Sequence, residues 1–293
     1  MTALEHLVVG VDGSQGARRA LEWAAAQAGG GRLTVVHGFF PGLELLAAAA
    51  QINLDPVRAE HELLLDTTWT EPARAGGTKI RTVLVEDNPA AALIDVATRE
   101  SADAIVIGHQ GRGRWSRHHI GSVAGRLLHE YDLPLIMTSN STKAETMVGT
   151  IVVGLSRPTG PDNPELVWAL HLAERFDLKI HMLTVVEPTA YVNASYPDDV
   201  ARIHTEFRLQ MDNLFDQVRL EYPSARFTNE VRDGNATGEL AAVASQRDAC
   251  MVVVGTHQHG PQTGFFAGSV AHLLPPLLEC PMAAVPATRP TEG

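Results

Sequence analysis

With 293 residues the chain is long for one domain and comfortable for two, and 45% hydrophobic residues with only 5% aromatics mean cores built from Val, Leu, Ile and Ala. A formal net charge of -11 excludes the basic face of a general nucleic-acid binder and the polybasic segment of a membrane anchor. Leu43–Ala50 is too short and Ala-rich for a membrane span, and Met1–His6 lacks the basic start and apolar stretch of a secretory leader, so a cytoplasmic protein with no membrane partner is expected.

Leu7–Val11 opens the chain as a short continuous apolar run, the pattern of a strand buried on both faces. Ala17–Ala28 has helical character and Leu33–His37 reads as a second strand. Leu43–Ala50 is expected to be a lid or part of a packed crossover, before a long helix over Leu54–Trp69 carrying Leu63, Leu64 and Leu65. Ile80–Val85 is a third strand. Asn88-Pro89 pairs a capping side chain with a first-turn proline, which predicts a helix to about Glu100. Ala104–Gly108 is a fourth strand, Ser122–Tyr131 a helix and Leu135–Thr138 a last short strand. The small, polar stretch Asn140–Met147 reads as a linker, and the chain after Pro286 as a loose Pro- and Thr-rich tail. Cys250 and Cys280 lie in or beside apolar runs and read as buried reduced thiols.

The second half repeats the first. Leu7-Val8-Val9-Gly10-Val11 is echoed by Ile151-Val152-Val153-Gly154-Leu155, and Ala104-Ile105-Val106-Ile107-Gly108 by Met251-Val252-Val253-Val254-Gly255. Gly121-Ser122-Val123-Ala124 returns as Gly268-Ser269-Val270-Ala271, and Asn163-Pro164 again marks a helix start. Two tandem domains follow, over residues 1–140 and 148–287. Alternating strands and helices make each a doubly wound α/β unit with helices on both faces of a parallel sheet, which binds ligands at the carboxyl ends of its strands.

Chemistry concentrates after the fourth strand, in Gly108-His109-Gln110-Gly111-Arg112-Gly113-Arg114 followed by Gly121-Ser122. Glycines between a strand end and a helix start let backbone N–H groups turn toward an anion, and the helix's first amides point the same way. From Ala104 to His129 there is no Asp or Glu, while Arg112, Arg114, Arg117 and Arg126 stand among His109, His118 and His119. A basic island in an acidic chain reads as an anion site, the alternative being a loop solvated by its arginines. Asp12, at the end of the first strand, supplies an acceptor for a ribose hydroxyl or base amino group. Neither a dinucleotide glycine fingerprint nor a P-loop is present, Pro158 spoils the nucleophile-elbow likeness of Gly154–Pro158, and the histidines lack zinc-site spacing. Trp115 reads as packing on the domain, with base stacking as the alternative.

The spacing Gly108-x2-Gly111-x9-Gly121-Ser122 resembles the nucleotide-binding signature of the universal stress protein family, and Val9-Gly10-Val11-Asp12-Gly13-Ser14 resembles that family's opening strand and turn. The resemblance covers nearly the whole chain, and tandem copies are familiar there. It implies a five-stranded parallel sheet in each half, of the adenine nucleotide alpha-hydrolase-like type. It also implies ATP or a related ADP or AMP ligand, with Mg²⁺ as an ion carried in by the phosphates. Gly10 and Asp12 would lie by the nucleoside, and His37 and Gly38 are weaker candidates for the adenine wall. Gly108, His109, Gln110, Gly111, Arg112, Gly113 and Arg114 would wrap the phosphates, with Gly121, Ser122 and Val123 closing over them. Pairing of domains through the last strand, and hence a homodimer, is implied as well. The expected role is a regulatory, stress-response protein whose association with a protein partner depends on nucleotide. A slow ATP phosphohydrolase using His109, His118 or His119 to place water, and a ligand-free interaction scaffold, are the alternatives.

The second half departs from this pattern. Ser156 stands at the place of Asp12, Gln258 replaces the middle glycine, and no Arg or Lys occurs from Ala249 to Leu278. Gly154, Gly255, Gly268 and Ser269 remain as weaker candidates. Only His257, His259 and His272 offer positive charge, when protonated, and Gly260 some loop freedom. A weak, altered or absent second site is expected.

Overall fold

Short apolar runs become parallel strands at nearly every place the sequence marks. The computed structural model describes residues 4–39, 53–75, 77–110, 120–187, 197–256 and 269–287. They form two compact units that divide between Thr146 and Met147. The first unit runs β1 (His6–Gly10), α1 (Gln15–Ala28), β2 (Arg32–Gly38), α2 (Asp55–Asp66), α3 (Glu71–Ala75), β3 (Ile80–Val85), α4 (Pro89–Arg99), β4 (Ala104–Gly108), α5 (Ser122–Glu130) and β5 (Leu135–Thr138). Its strands lie in the order β3-β2-β1-β4-β5, all parallel. The second unit repeats the plan with β6 (Thr150–Gly154), α6 (Pro164–Phe176), β7 (Lys179–Val186), α7 (Pro197–Glu221), β8 (Arg226–Asp233), α8 (Ala236–Gln246), β9 (Ala249–Thr256), α9 (Ser269–Leu273) and β10 (Met282–Pro286), ordered β10-β9-β6-β7-β8. Among the described residues no helix is long and apolar enough to cross a membrane.

Successive residues Leu7, Val8 and Val9 of β1 and Ile105 and Val106 of β4 are all fully buried, because helices cover both faces of the sheet. Each such side chain contributes about 1.5–3 kcal/mol on burial. α1 meets the sheet through a stripe of Ala20, Leu21, Trp23 and Ala24. It begins where the Ser14 hydroxyl accepts a bond from the Ala17 N–H at 3.2 Å and ends where Gly29 turns left-handed, at φ 53°. From β1 the chain builds outward to β2 and β3, then returns across α4 to β4 on β1's other side. The crevice at the carboxyl ends of β1 and β4 is therefore the switch point.

Local details differ from the sequence expectations or add to them. The helix foreseen over Leu54–Trp69 stops at Asp66, and a turn over Thr67–Thr70 leads into α3. The Thr67 hydroxyl donates to the Leu63 carbonyl at 2.6 Å and the Thr70 hydroxyl to the Leu65 carbonyl at 2.9 Å, so side chains take carbonyls at the helix end. Of the three leucines only Leu65 is buried, and Leu63 is exposed. Asn88 caps α4 by accepting from the Ala90 N–H, but Asn163 makes no side-chain cap on α6, its amide donating instead to the Arg157 carbonyl at 3.4 Å. The stretch Asn140–Met147 is tied down: the Gln27 amide donates to the Glu145 carbonyl at 2.7 Å, and Met147 is buried. Cys250 and Cys280 are free but only half-buried. Cys250 lies where the β6–β9 register shifts, its thiol donating to the Thr150 carbonyl, and burial pushes both thiols up to about 12. Leu43–Ala50 and the tail from residue 288 lie outside the described residues.

The two units differ at a buried polar position of their second strands. Thr34 on β2 sits beside Val8, and His181 on β7 beside Val152, the matching residue of the repeat. His181 is fully buried, with Nδ1 at 2.8 Å from the Thr228 hydroxyl and Nε2 at 3.4 Å from Glu230 Oε2. Burial, and after it the Arg247 guanidinium, bring its pKa down from 6.5 to about 4. An unfolded chain protonates this histidine near pH 6.5 while the folded one keeps it neutral to about pH 4. Its contribution is thus whole above pH 6.5 and is lost as pH falls toward 4. His181→Thr should therefore flatten the acid limb: denaturant titrations at neutral pH and near pH 4.5 should show the wild type losing about 2–3 kcal/mol more than the variant. Parallel losses in the two proteins would refute the assignment.

Candidate functional site

The first strand delivers Asp12 to the carboxyl edge of the sheet. Val11 is held by its N–H to the Val36 carbonyl at 2.9 Å, and Asp12 Oδ1 then accepts from the Ser14 N–H at 2.9 Å, closing a turn through Gly13 at φ 75°. The half-buried Asp12 carboxylate is thus set at the mouth of the switch point by the same turn that starts α1. Gly10 has a packing reason to be glycine: a Cβ there would stand 3.0 Å from the Ile107 side chain and 3.1 Å from that of Leu93. Gly154, its partner in the repeat, meets Leu240 at 2.9 Å and Val254 at 3.2 Å in the same way.

His37 and Gly38, the residues foreseen for an adenine wall, are engaged in the fold. The His37 ring is buried; Nδ1 donates to the Val11 carbonyl at 2.8 Å and Nε2 lies 2.8 Å from Nδ1 of His61, with Trp69 edge-on at 4.9 Å. Thr184 of β7 makes the matching bond in the second unit, its hydroxyl donating to the Leu155 carbonyl at 3.0 Å. A Cβ on Gly38 would come within 2.5 Å of Pro89 Cα, so the start of α4 sits where a side chain would be.

The chain leaves β4 through a clamp. The His109 N–H and its ring Nδ1 both donate to the Thr138 carbonyl, at 2.9 and 3.0 Å, and the His109 carbonyl accepts from the Gly121 N–H at 3.0 Å. His109 is buried and anchors the loop to β5, while its carbonyl ties the departing strand to the start of α5. Gly121 is the extended N-cap of α5, with no side-chain cap and no acidic residue in the first turn. The amides of Ser122 and Val123 open that helix beside the crevice, where backbone donors and the helix dipole favour an anion. Ser122 is exposed there and Val123 half-buried. Arg126, counted in the basic island, pairs with Glu130 on its own helix through two bonds of 3.0 and 2.8 Å. Gly108 and Gly16 face each other closely: a Cβ on Gly108 would lie 2.5 Å from the Gly16 carbonyl carbon. Gly111, Arg112, Gly113, Arg114, Trp115, Arg117, His118 and His119 lie outside the described residues. Beside the turn, a cavity of about 540 Å³ opens between Ser14, Arg18 and Glu22 of α1 and its cap and the Thr68–Trp69 turn.

In the second unit Gly154 and Ser156 hold the corresponding strand end, and Ser156 is exposed. The connection from β6 to α6 spans Leu155–Asn163, longer than Val11–Ser14 in the first unit, with Pro158 and Gly160 buried in it. Gly255 lies in β9 opposite Val285, Ser269 begins the short α9, and Gly268, His257, Gln258, His259 and Gly260 fall outside the described residues. A buried acid was missed in the sequence. Glu165, in the first turn of α6, is only 1% exposed, whereas the first turn of α1 holds no acidic residue.

Comparison with known proteins covers both units. The model of the universal stress protein family matches residues 3–139 and 147–286. The universal stress protein Rv2623 of Mycobacterium tuberculosis strain H37Rv is 24% identical over 291 residues, 94% of each chain. Universal stress protein Rv2005c of the same strain is 23% identical over 292 residues, covering 91% of this chain and 92% of the relative. Among solved structures, a universal stress protein from Archaeoglobus fulgidus DSM 4304 superposes with a TM-score of 0.65 at 15% identity, covering 96% of this chain and 98% of that one. The protein PA1789 from Pseudomonas aeruginosa PAO1, described as functionally unknown, gives 0.63 at 15% identity over 97% and 93% of the two chains. At that identity the structures speak for the fold.

The packing reason for Gly38 has a direct check. Gly38→Ala must move the backbone of Pro89 and should lower stability by about 1–3 kcal/mol. Gly125→Ala, inside α5 with no atom within 4 Å of the added Cβ, should leave the thermal midpoint unchanged or raise it. Equal midpoints for the two variants would show that the Gly38 contact is not tight.

Proposed function

Because this chain belongs to the universal stress protein family, whose model matches it in both halves, we propose that it is a regulatory protein that binds ATP, or another adenine nucleotide, in its first unit and changes its association with a protein partner accordingly. What supports this reading is that an acceptor and a set of donors belong to the carboxyl ends of two adjacent strands. Asp12 sits at the end of β1 and the uncapped start of α5 at the far side of the clamp on β4. Asp12 would accept from the nucleoside. The amides of Gly121, Ser122 and Val123, with Gly111, Arg112, Gly113 and Arg114 between them and β4, would hold the phosphates. Mg²⁺ would enter with those phosphates and keep its other ligands from water.

In this reading the His109 ring serves the fold, held through Nδ1 to the Thr138 carbonyl. The second unit acts in this reading as a structural partner. It has Ser156 for Asp12 and a buried Glu165 carboxylate at the start of α6, where the first unit has none. Assembly as a homodimer belongs to the same proposal.

Calorimetric titration with ATP should report close to one nucleotide for each chain. Arg112→Ala removes a charge-assisted bond worth about 1.5–3 kcal/mol and should weaken binding by roughly 10- to 100-fold. Gly111→Val should abolish it with the unfolding midpoint unchanged. Asp12→Asn keeps the acceptor that closes the turn to Ser14, so it should fold as the wild type yet bind adenosine more weakly. Wild-type protein that takes up no adenine nucleotide at millimolar concentration would end this reading.

A further inference from the structure

Two glycines face each other where α1 passes the end of β4, and neither is explained by its backbone. Gly16 lies in the first turn of α1 and has no positive φ, so alanine would be the better helix former there. What excludes a side chain is the neighbour. A Cβ on Gly16 would stand 2.3 Å from the carbonyl oxygen of Gln110, and one on Gly108 would stand 2.5 to 2.8 Å from three backbone atoms of Gly16. These are backbone atoms, which cannot swing aside as a side-chain tip can. The chain just beyond β4 therefore lies against the first turn of α1 only because both residues lack a side chain.

The other side of that segment is fixed. His109 is held to the Thr138 carbonyl by two bonds, and its own carbonyl receives the Gly121 N–H. A side chain at position 16 would push Gln110 against this clamp, and with it the direction in which the chain enters Gly111–Arg114.

We propose that Gly16 is a positioning residue for the chain leaving β4: by carrying no side chain it lets the Gln110 carbonyl dock on the first turn of α1. This inference rests on the nucleotide reading for its effect on affinity, but not for the docking itself. Amide hydrogen exchange and nucleotide titration of full-length Gly16→Ala therefore test it in two ways. Exchange at His109 and Gly121 should quicken by about tenfold or more while Val8 and Val9 in β1 keep their protection. Affinity for ATP should fall by about tenfold while that for adenosine stays within about twofold, because only the phosphates depend on the loop. Gly108→Ala, touching the same contact from the other side, should give the same pattern, and the double variant should be no worse than either single one. Gln15→Ala, exposed on the same turn, should behave as the wild type.

Unchanged exchange at His109 and Gly121 in Gly16→Ala would overturn the proposal, as would an equal loss of ATP and adenosine. Wild-type protein that binds neither ligand would defeat the nucleotide reading, and the exchange measurement would still decide the role of Gly16.

Discussion

Strands β1 and β4 run side by side, Val9 against Val106, and the chain leaves them toward opposite edges of the sheet. The functional proposal depends on that arrangement. Covered on both faces, the two strands carry apolar side chains over Leu7–Val9 and Ala104–Ile107, so chemistry collects where they end. There the backbone must turn, and the turn at Asp12 and the clamp at His109 each begin within two residues of a fully covered strand. A parallel core with two adjacent strand ends is a physical basis for placing a ligand at the sheet's carboxyl edge.

The repeat uses one scaffold for two different edges. Gly10 and Gly154 meet equivalent side chains, and His37 and Thr184 tie down equivalent carbonyls, so the cores match. The edges diverge through residues that alter space and charge together. Glu165 brings a buried carboxylate to the first turn of α6, where α1 has no acid, and the β6–α6 connection is longer, with Pro158 and Gly160 buried. The loss of fixed positive charge between Ala249 and Leu278 points the same way. Family membership accounts for the shared scaffold; the edge residues account for the difference.

Strands were the most legible part of the sequence, and β3, β4 and β5 have the bounds that their apolar runs mark. A run buried on both faces carries its own signal, because no neighbour is needed to see it. Helix ends were less legible. α2 stops at Asp66 because hydroxyls of Thr67 and Thr70 reach back to its last carbonyls, a competition that apolar periodicity does not register. The units divide within Asn140–Met147, where the sequence marks a linker, but the bond from Gln27 that holds it is not legible because Gln27 lies far away in sequence. The glycines were the hardest to read. Gly10, Gly38 and Gly108 suggested close approach of a ligand, and what the structure shows close to them is Leu93, Pro89 and Gly16. Only a long-range neighbour tells these cases apart. Gly16 and Glu165 drew no notice, because only the neighbours of each in the folded chain single them out.

The central claim is that the first unit alone offers an adenine nucleotide both an acceptor at Asp12 and a cradle ahead of α5. A crystal structure of the full chain grown with saturating ATP tests it most directly. The account predicts density for one nucleotide, its phosphates against Gly121, Ser122 and Val123 and its nucleoside toward Asp12, with the β6–β9 edge holding none. Nucleotide density at the β6–β9 edge with the first crevice vacant would contradict it.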